Sequence, residues 1–142
     1  MIIREFLPSD HSAALKLWES AKGVCNCEKC SALNAKDKVE MYLLRNPGTS
    51  FVAVTDAGEV RGTVLAGHDG RTGLIYRLAV SDEYRKQGVA KRLVETAVAA
   101  IKREGLSNVK AFVLNENHGG NAFWEKIGFA AVDTAVTRSM DI

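Results

Sequence analysis

The stretch Arg85-Lys86-Gln87-Gly88-Val89-Ala90 carries the residue types that an anion-binding turn needs. It stands between the apolar, strand-like run Leu74-Ile75-Tyr76-Arg77-Leu78-Ala79-Val80 and a segment whose apolar residues recur at helical spacing. A small-residue turn entering a helix aims several unpaired backbone N–H groups at one place, where the positive end of the helix dipole favours negative charge. Gly88 permits close backbone approach and Ala90 adds little bulk. Arg85, Lys86, Lys91 and Arg92 surround the turn with positive charge. The chemistry that fits is recognition of a phosphate or pyrophosphate. Taken alone, the same residues also describe a solvated helix start with a basic first turn.

The elements that must position this loop follow from periodicity. Residues 2 to 6 read as a short strand. A helix follows from Leu7-Pro8-Ser9, with Ser9 as N-cap and Ala14, Leu15, Leu17 and Trp18 as its apolar face, and it fades near Gly23. A second helix starts after Asn34 and stops at Asn46-Pro47-Gly48. Residues 50 to 55, 60 to 67 and 74 to 80 form an antiparallel meander. From Gly88 to Glu104, Val89, Leu93, Val94, Ala97, Val98 and Ile101 follow helical period, and Gly105 ends the helix. The next strand is 109 to 114. Strand, helix, strand predicts a right-handed crossover and a locally parallel pair, with the anion loop at the carboxyl end of a strand, where ligands are usually bound.

The chain contains no G-x-x-x-x-G-K-[ST], and the loop lacks the three glycines of a dinucleotide-binding fingerprint, so nucleotide hydrolysis and hydride transfer lose support. What remains, R-x-x-G-x-A after a strand, resembles the GNAT superfamily of acyl-CoA-dependent N-acetyltransferases. That family's pattern continues with a strand, then Asn, then an aromatic-E-K-x-G-F element; here it reads Asn117, then Phe123-Trp124-Glu125-Lys126-Ile127-Gly128-Phe129. The two motifs stand in the expected order and span residues 74 to 129.

The resemblance implies a mixed α/β (α+β) GNAT fold: a central, mostly antiparallel sheet with a splayed parallel pair, flanked by about four helices. It implies that acetyl-CoA is the acyl donor and that a primary amine is acetylated by direct attack. Leu78, Ala79 and Val80 would offer backbone groups to the pantetheine arm, as an added strand does. The amides of Gln87, Gly88, Val89, Ala90 and Lys91 would hold the pyrophosphate, and Arg85, Lys86 or Arg92 would reach the ribose phosphate. Asn117, with Phe123 and Trp124, would line the gap that holds the thioester. Asn117 read in isolation is a turn residue. The Val80 N–H is, by analogy, the donor to the developing oxyanion.

Two positions depart from the family pattern. Trp124 stands where many members carry a tyrosine thought to protonate the departing thiolate; an indole N–H can hydrogen-bond but does not titrate in this range, and packing is its other reading. Tyr76 and Arg77 lie on a strand where relatives often carry a carboxylate, and no acid occupies it here. Tyr76 can orient a water, while Glu116, Asp69, His68 and His118 are loop residues near strand ends. These departures support an alternative of another class, an acyl-CoA-binding sensor with little or no catalysis.

Cys25-Asn26-Cys27-Glu28-Lys29-Cys30 holds all three cysteines of the chain, and the resemblance does not explain it. A structural zinc site needs four ligands, and His11, His68 or His118 would have to complete it. Free thiols are the expectation, with no metal; metal binding and a redox role stay open. In relatives the segment between the first two helices borders the acceptor pocket.

At 142 residues with 46% hydrophobic content, one domain over 1–142 is expected. A net charge of +2 with interspersed signs provides no basic stripe for nucleic acid. The longest apolar run, Ala97 to Ile101, is too short to span a membrane, and the N-terminus lacks a signal-peptide plan, so a cytoplasmic location is expected. Relatives commonly dimerise, and a strand over Ala135 to Met140 is expected to supply an edge for a homodimer.

Overall fold

A computed structural model describes residues 1–142. The chain divides into two compact units, Met1–Phe112 and Val113–Ile142. The first holds a five-stranded sheet in the order β1 (Ile2–Glu5), β2 (Phe51–Val54), β3 (Val60–His68), β4 (Gly73–Val80), β5 (Val109–Ala111). Its helices are α1 (His11–Ser20), α2 (Glu28–Leu33), α3 (Lys36–Arg45) and α4 (Val89–Arg103). β1 to β4 run antiparallel and β5 pairs parallel to β4 after the α4 crossover, as the sequence predicts.

The period-two alternation of β3 sorts its side chains between two helical layers. A Cβ on Gly62 would meet Leu93, Ala53 and Val89 at 3.0, 3.2 and 3.4 Å, so glycine lets α4 settle closely on this face of the sheet. α4 buries Val89, Leu93, Val94, Ala97, Ala100 and Ile101 there. On the opposite face Leu65, Val52, Val54 and Ala79 join Trp18, Leu17, Ala14, Phe6 and Val39 in one core cluster.

Four boundaries differ from expectation. Pro8–Asp10 form a 3-10 turn, and α1 starts at His11 with Asp10, not Ser9, at its entrance. Asp10 wins because its carboxylate accepts both the Leu7 N–H (2.9 Å) and a two-pronged Arg4 guanidinium (2.8 Å each). Burial pushes the Asp10 pKa up, but these bonds outweigh it and hold the carboxyl below its ordinary value. Between the first two expected helices, residues Glu28–Leu33 form a further short helix, α2, entered from the cysteine segment at Cys27. β5 stops at Ala111, three residues short. Ala135 to Met140 form no strand: Val136 and Met140 are exposed, and no neighbouring strand pairs with them. No helix is long and apolar enough to cross a membrane.

The second unit holds α5 (His118–Lys126). Trp124 is its buried anchor, packed edge-on against Phe123 (5.4 Å) and Phe129 (4.8 Å), and the Phe129 N–H donates to the Trp124 carbonyl (2.9 Å).

Candidate functional site

β4 contains an irregularity that the sequence reading did not foresee. Thr63 pairs with Ala79 and Leu65 with Tyr76, so the single residue Val64 on β3 opposes both Arg77 and Leu78. This is a β-bulge, and Arg77 adopts φ +50 to make it. A left-handed conformation costs a residue with a side chain about 1–2 kcal/mol, so the surroundings must hold it. The Thr63 hydroxyl donates to the Arg77 carbonyl (2.9 Å) and accepts from the Trp18 indole N–H (2.8 Å), with Thr63 and Trp18 both fully buried.

The bulge sets the phase of everything after it. Ser81 N–H donates to the Arg61 carbonyl (2.9 Å), which makes Gly62 and Val80 a non-hydrogen-bonded pair. By ladder alternation the Val80 N–H and C=O therefore point away from β3, while Ala79 is engaged with Thr63. On that outer side β4 pairs with β5 only through Gly73, Leu74 and Ile75. From Tyr76 to Val80 the outer edge has no strand partner, so the parallel pair separates where the resemblance places the thioester and the pantetheine arm. Leu78, Ala79 and Val80 all lie on this open stretch.

Beyond Val80 a 3-10 turn over Asp82–Tyr84 leads into the loop. Lys86 (φ +58) and Gly88 (φ +79) are both left-handed, a handedness pattern that turns successive backbone N–H groups toward one concavity. Gly88 is the residue before α4, and the Arg92 N–H donates to its carbonyl (3.0 Å). The amides of Val89, Ala90 and Lys91 precede the first carbonyl the helix can offer them. A Cβ on Gly88 would meet nothing within 4 Å, so open space fronts the loop. Outward backbone donors, open space and basic flanks suit the pyrophosphate of a CoA thioester.

The flanking side chains have separate duties. Arg85 donates to the Val80 carbonyl (3.2 Å) and pairs with Asp82 (3.1 Å), bracing the loop against the end of β4. Gln87 closes on the Glu83 carbonyl (2.9 Å). Arg92 donates to the Met1 carbonyl (3.2 Å), and Lys91 pairs with Glu95 one turn on (3.8 Å). Lys86 is exposed, whereas the Val89 side chain is buried in the core and offers only its backbone.

Arg77 also carries a network that no motif signals. Its Nε donates to the Asn34 side chain (2.8 Å), and its two terminal nitrogens donate to the Cys25 and Cys30 carbonyls (3.1 Å each). Asn34 is buried, and its carbonyl meets the buried His11 Nε2 (2.7 Å). His11 is thereby occupied. The N–H of Cys30 donates to the Cys27 sulfur (3.4 Å). That bond, then the thiols of Cys30 and Cys25, lower the Cys27 pKa to about 7; the thiols of Cys25 and then Cys27 push the Cys30 thiol up to about 11. Buried Thr63 in an apolar strand is the only one of these residues whose type and position could have been flagged beforehand.

Tyr76 lies at the mouth of the separation, 38% exposed. It stacks on Phe112 (5.9 Å) and meets Tyr42 edge-on (6.0 Å), and burial raises its pKa, so it stays a protonated donor at neutral pH. The Tyr42 hydroxyl is buried with no hydrogen-bond partner, and burial followed by Tyr76 raises its pKa. An unpaired buried hydroxyl beside an open edge is a group that a bound molecule can satisfy. Tyr42→Phe is therefore expected to keep or raise the melting temperature while raising the amine KM and leaving CoA affinity unchanged. Paired thermal melts and steady-state kinetics check this; a lower melting temperature would mean that the hydroxyl serves the fold.

The loop candidates resolve differently. The Asp69 carboxylate accepts the Thr72 and Arg71 N–H groups (2.8 Å each), which hold its pKa down, and His68 Nδ1 accepts from Gly70 (3.0 Å); both close a tight turn. In the second unit Asn117 caps α5, accepting from the Gly120 N–H (2.9 Å), and a side chain at 120 would collide with it. Glu116 and His118 are exposed beside it.

Comparison with known proteins agrees with this geometry. The profile of the Acetyltransferase (GNAT) family matches residues 13–129. The chain is 27% identical over 139 residues to the acetyltransferase SG1711 of Sodalis glossinidius, covering 96% of this chain and 92% of that one. Among solved structures it is similar to the PaiA N-acetyltransferase of Thermoplasma acidophilum in complex with coenzyme A, with TM-score 0.81, 20% identity, and 94% of this chain and 92% of that chain covered. It is similar also to the apo aminoglycoside 6'-N-acetyltransferase AAC(6')-Ig of Acinetobacter haemolyticus, with TM-score 0.77, 18% identity, and 100% and 99% covered. With the open β4 edge, the bulge and the anion loop in place, the chain belongs to the GNAT acetyltransferase family and is an acetyl-CoA-dependent N-acetyltransferase.

Proposed function

We propose that this protein moves the acetyl group of acetyl-CoA onto a primary amine by direct attack within a ternary complex, using no acyl-enzyme. The observation that carries the reading is the outward-facing Val80 N–H on an unpaired stretch of β4 that ends at the anion loop. In this reading the amides of Gln87 to Lys91 hold the pyrophosphate, the β4 edge from Leu78 to Val80 pairs with the amide-bearing arm, and the Val80 N–H polarises the thioester carbonyl. The neutral amine nitrogen forms a bond to the carbonyl carbon, the C–S bond breaks, and sulfur leaves as a thiolate. The amine proton passes to water held by Tyr76, because β4 carries no acid. Positioning and carbonyl polarisation then supply much of the rate. We read residues 1–142 as one catalytic domain in a cytoplasmic protein that forms a homodimer.

By the family resemblance, Trp124 stands at the position assigned to the departing sulfur, and its indole N–H would be the donor there. Trp124→Tyr adds a hydroxyl that can give up its proton and is expected to raise turnover, whereas Trp124→Phe, with no donor, is expected to lower it. Equal turnover in all three would assign the residue to packing with Phe123 and Phe129.

The function is tested by calorimetric titration of the reduced protein with acetyl-CoA beside a thiol-release assay against amines, polyamines and peptides. Binding with thiol release on one acceptor class is the expected result and names the acceptor. Binding without release on any amine would favour an acyl-CoA sensor, and absence of binding would overturn the loop's role.

A further inference from the structure

We propose that Cys25, Cys27 and Cys30 form a three-thiolate site for a divalent thiophilic cation of the zinc class. The three sulfurs lie within 4.8 Å of one another, and no histidine or carboxylate belongs to the group. Sulfurs sharing one zinc tetrahedrally at a Zn–S distance of about 2.3 Å stand about 3.8 Å apart, so closure asks for side-chain adjustment alone. All three cysteines are free, and Cys27 is exposed, which gives an ion a path in. The fourth position falls to solvent.

Two further features prepare the site. The Cys30 N–H already donates to the Cys27 sulfur, and the Arg77 guanidinium holds the Cys25 and Cys30 carbonyls at 3.1 Å. Outer bonds of this kind orient metal ligands. Three thiolates and a divalent ion leave one negative charge, which Arg77 offsets. Moreover, α2 is only six residues long and buries none of them. A helix so short is marginal by itself, and apolar packing does not anchor this one. Metal binding contributes folding free energy directly to such a segment. Because Arg77 also forms the β4 bulge, an ion here stiffens the segment latched to the strand that frames the acetyl-transfer site.

The test uses the full-length, fully reduced, metal-free chain and needs no acetyl-CoA, so its failure is distinct from failure of the transferase reading. Cobalt(II) is titrated while sulfur-to-cobalt charge-transfer absorption is followed, and zinc(II) then competes it away. One equivalent per chain is expected, with uptake lost in the combined Cys25→Ser, Cys27→Ser, Cys30→Ser variant, whose circular dichroism verifies folding. Arg77→Met is expected to weaken uptake by about 10- to 100-fold, as loss of outer-shell bonds does. Absence of a charge-transfer band, or equal uptake by the triple serine variant, would overturn the site.

Discussion

Gly88→Glu abolishes CoA binding while the protein remains folded: that is the expected outcome of placing a carboxylate in the open space fronting the loop. Gly88 has φ +79, and nothing lies within 4 Å of where its Cβ would be, so the substitution meets no steric resistance from the protein. Two costs can be separated. The backbone cost of a side chain at positive φ is about 1–2 kcal/mol, and Gly88→Ala carries only that cost. The electrostatic cost falls on the bound state, where a negative group faces the pyrophosphate and competes for the loop's N–H donors. Each charge-assisted hydrogen bond is worth about 1.5–3 kcal/mol, and about 1.4 kcal/mol is a tenfold change in affinity. We therefore expect Gly88→Glu to weaken CoA binding by about 100-fold or more in calorimetry, and Gly88→Ala to melt a few degrees lower with affinity largely kept. Equal affinity for Gly88→Glu and the parent protein would remove the pyrophosphate from this loop.

The contrast between Gly88 and Arg77 shows why one half of the site is legible in the sequence and the other is not. The loop is built from adjacent residues, so a small-residue turn with basic flanks between a strand and a helix announces itself. The meander and α4 are equally local: α4 shows its buried face at every helical turn. The bulge depends on Thr63, Trp18 and Arg77, which lie far apart in the chain and meet only once β3 and α1 have packed. No spacing rule links them. Asn34 looks like a helix-start residue by composition, yet it is consumed by Arg77 and His11. The expected strand over Ala135 to Met140 fails for the complementary reason: a strand needs a partner that local sequence cannot supply.

Thr63→Val should separate catalysis from cofactor affinity. Valine has the shape of threonine, so the core is neither emptied nor overfilled, yet the Trp18 N–H loses its acceptor and the Arg77 carbonyl its donor. Stranding buried polar groups costs about 1–3 kcal/mol each, and we expect a stability loss of about 2–4 kcal/mol in denaturant unfolding. The sharper consequence lies in register. A strand's side chains and amides alternate with period two, so relaxing the bulge by one residue turns the Val80 N–H from the open edge inward toward β3. Turnover should then fall by about 100-fold, the usual magnitude for losing one donor to a developing oxyanion, while CoA affinity falls less, because the arm loses its β4 edge but the separate loop at 87–91 keeps the pyrophosphate. Arg77→Gly provides the complementary cut. Glycine accepts φ +50 freely, so the bulge persists while the latch to Asn34, Cys25 and Cys30 is lost. Arg77→Ala loses the same latch and retains the backbone strain, and should be about 1 kcal/mol less stable than Arg77→Gly. Both Arg77 variants are expected to raise the amine KM more than they lower kcat. A Thr63→Val enzyme with undiminished kcat would show that the Val80 N–H is not the group that polarises the thioester.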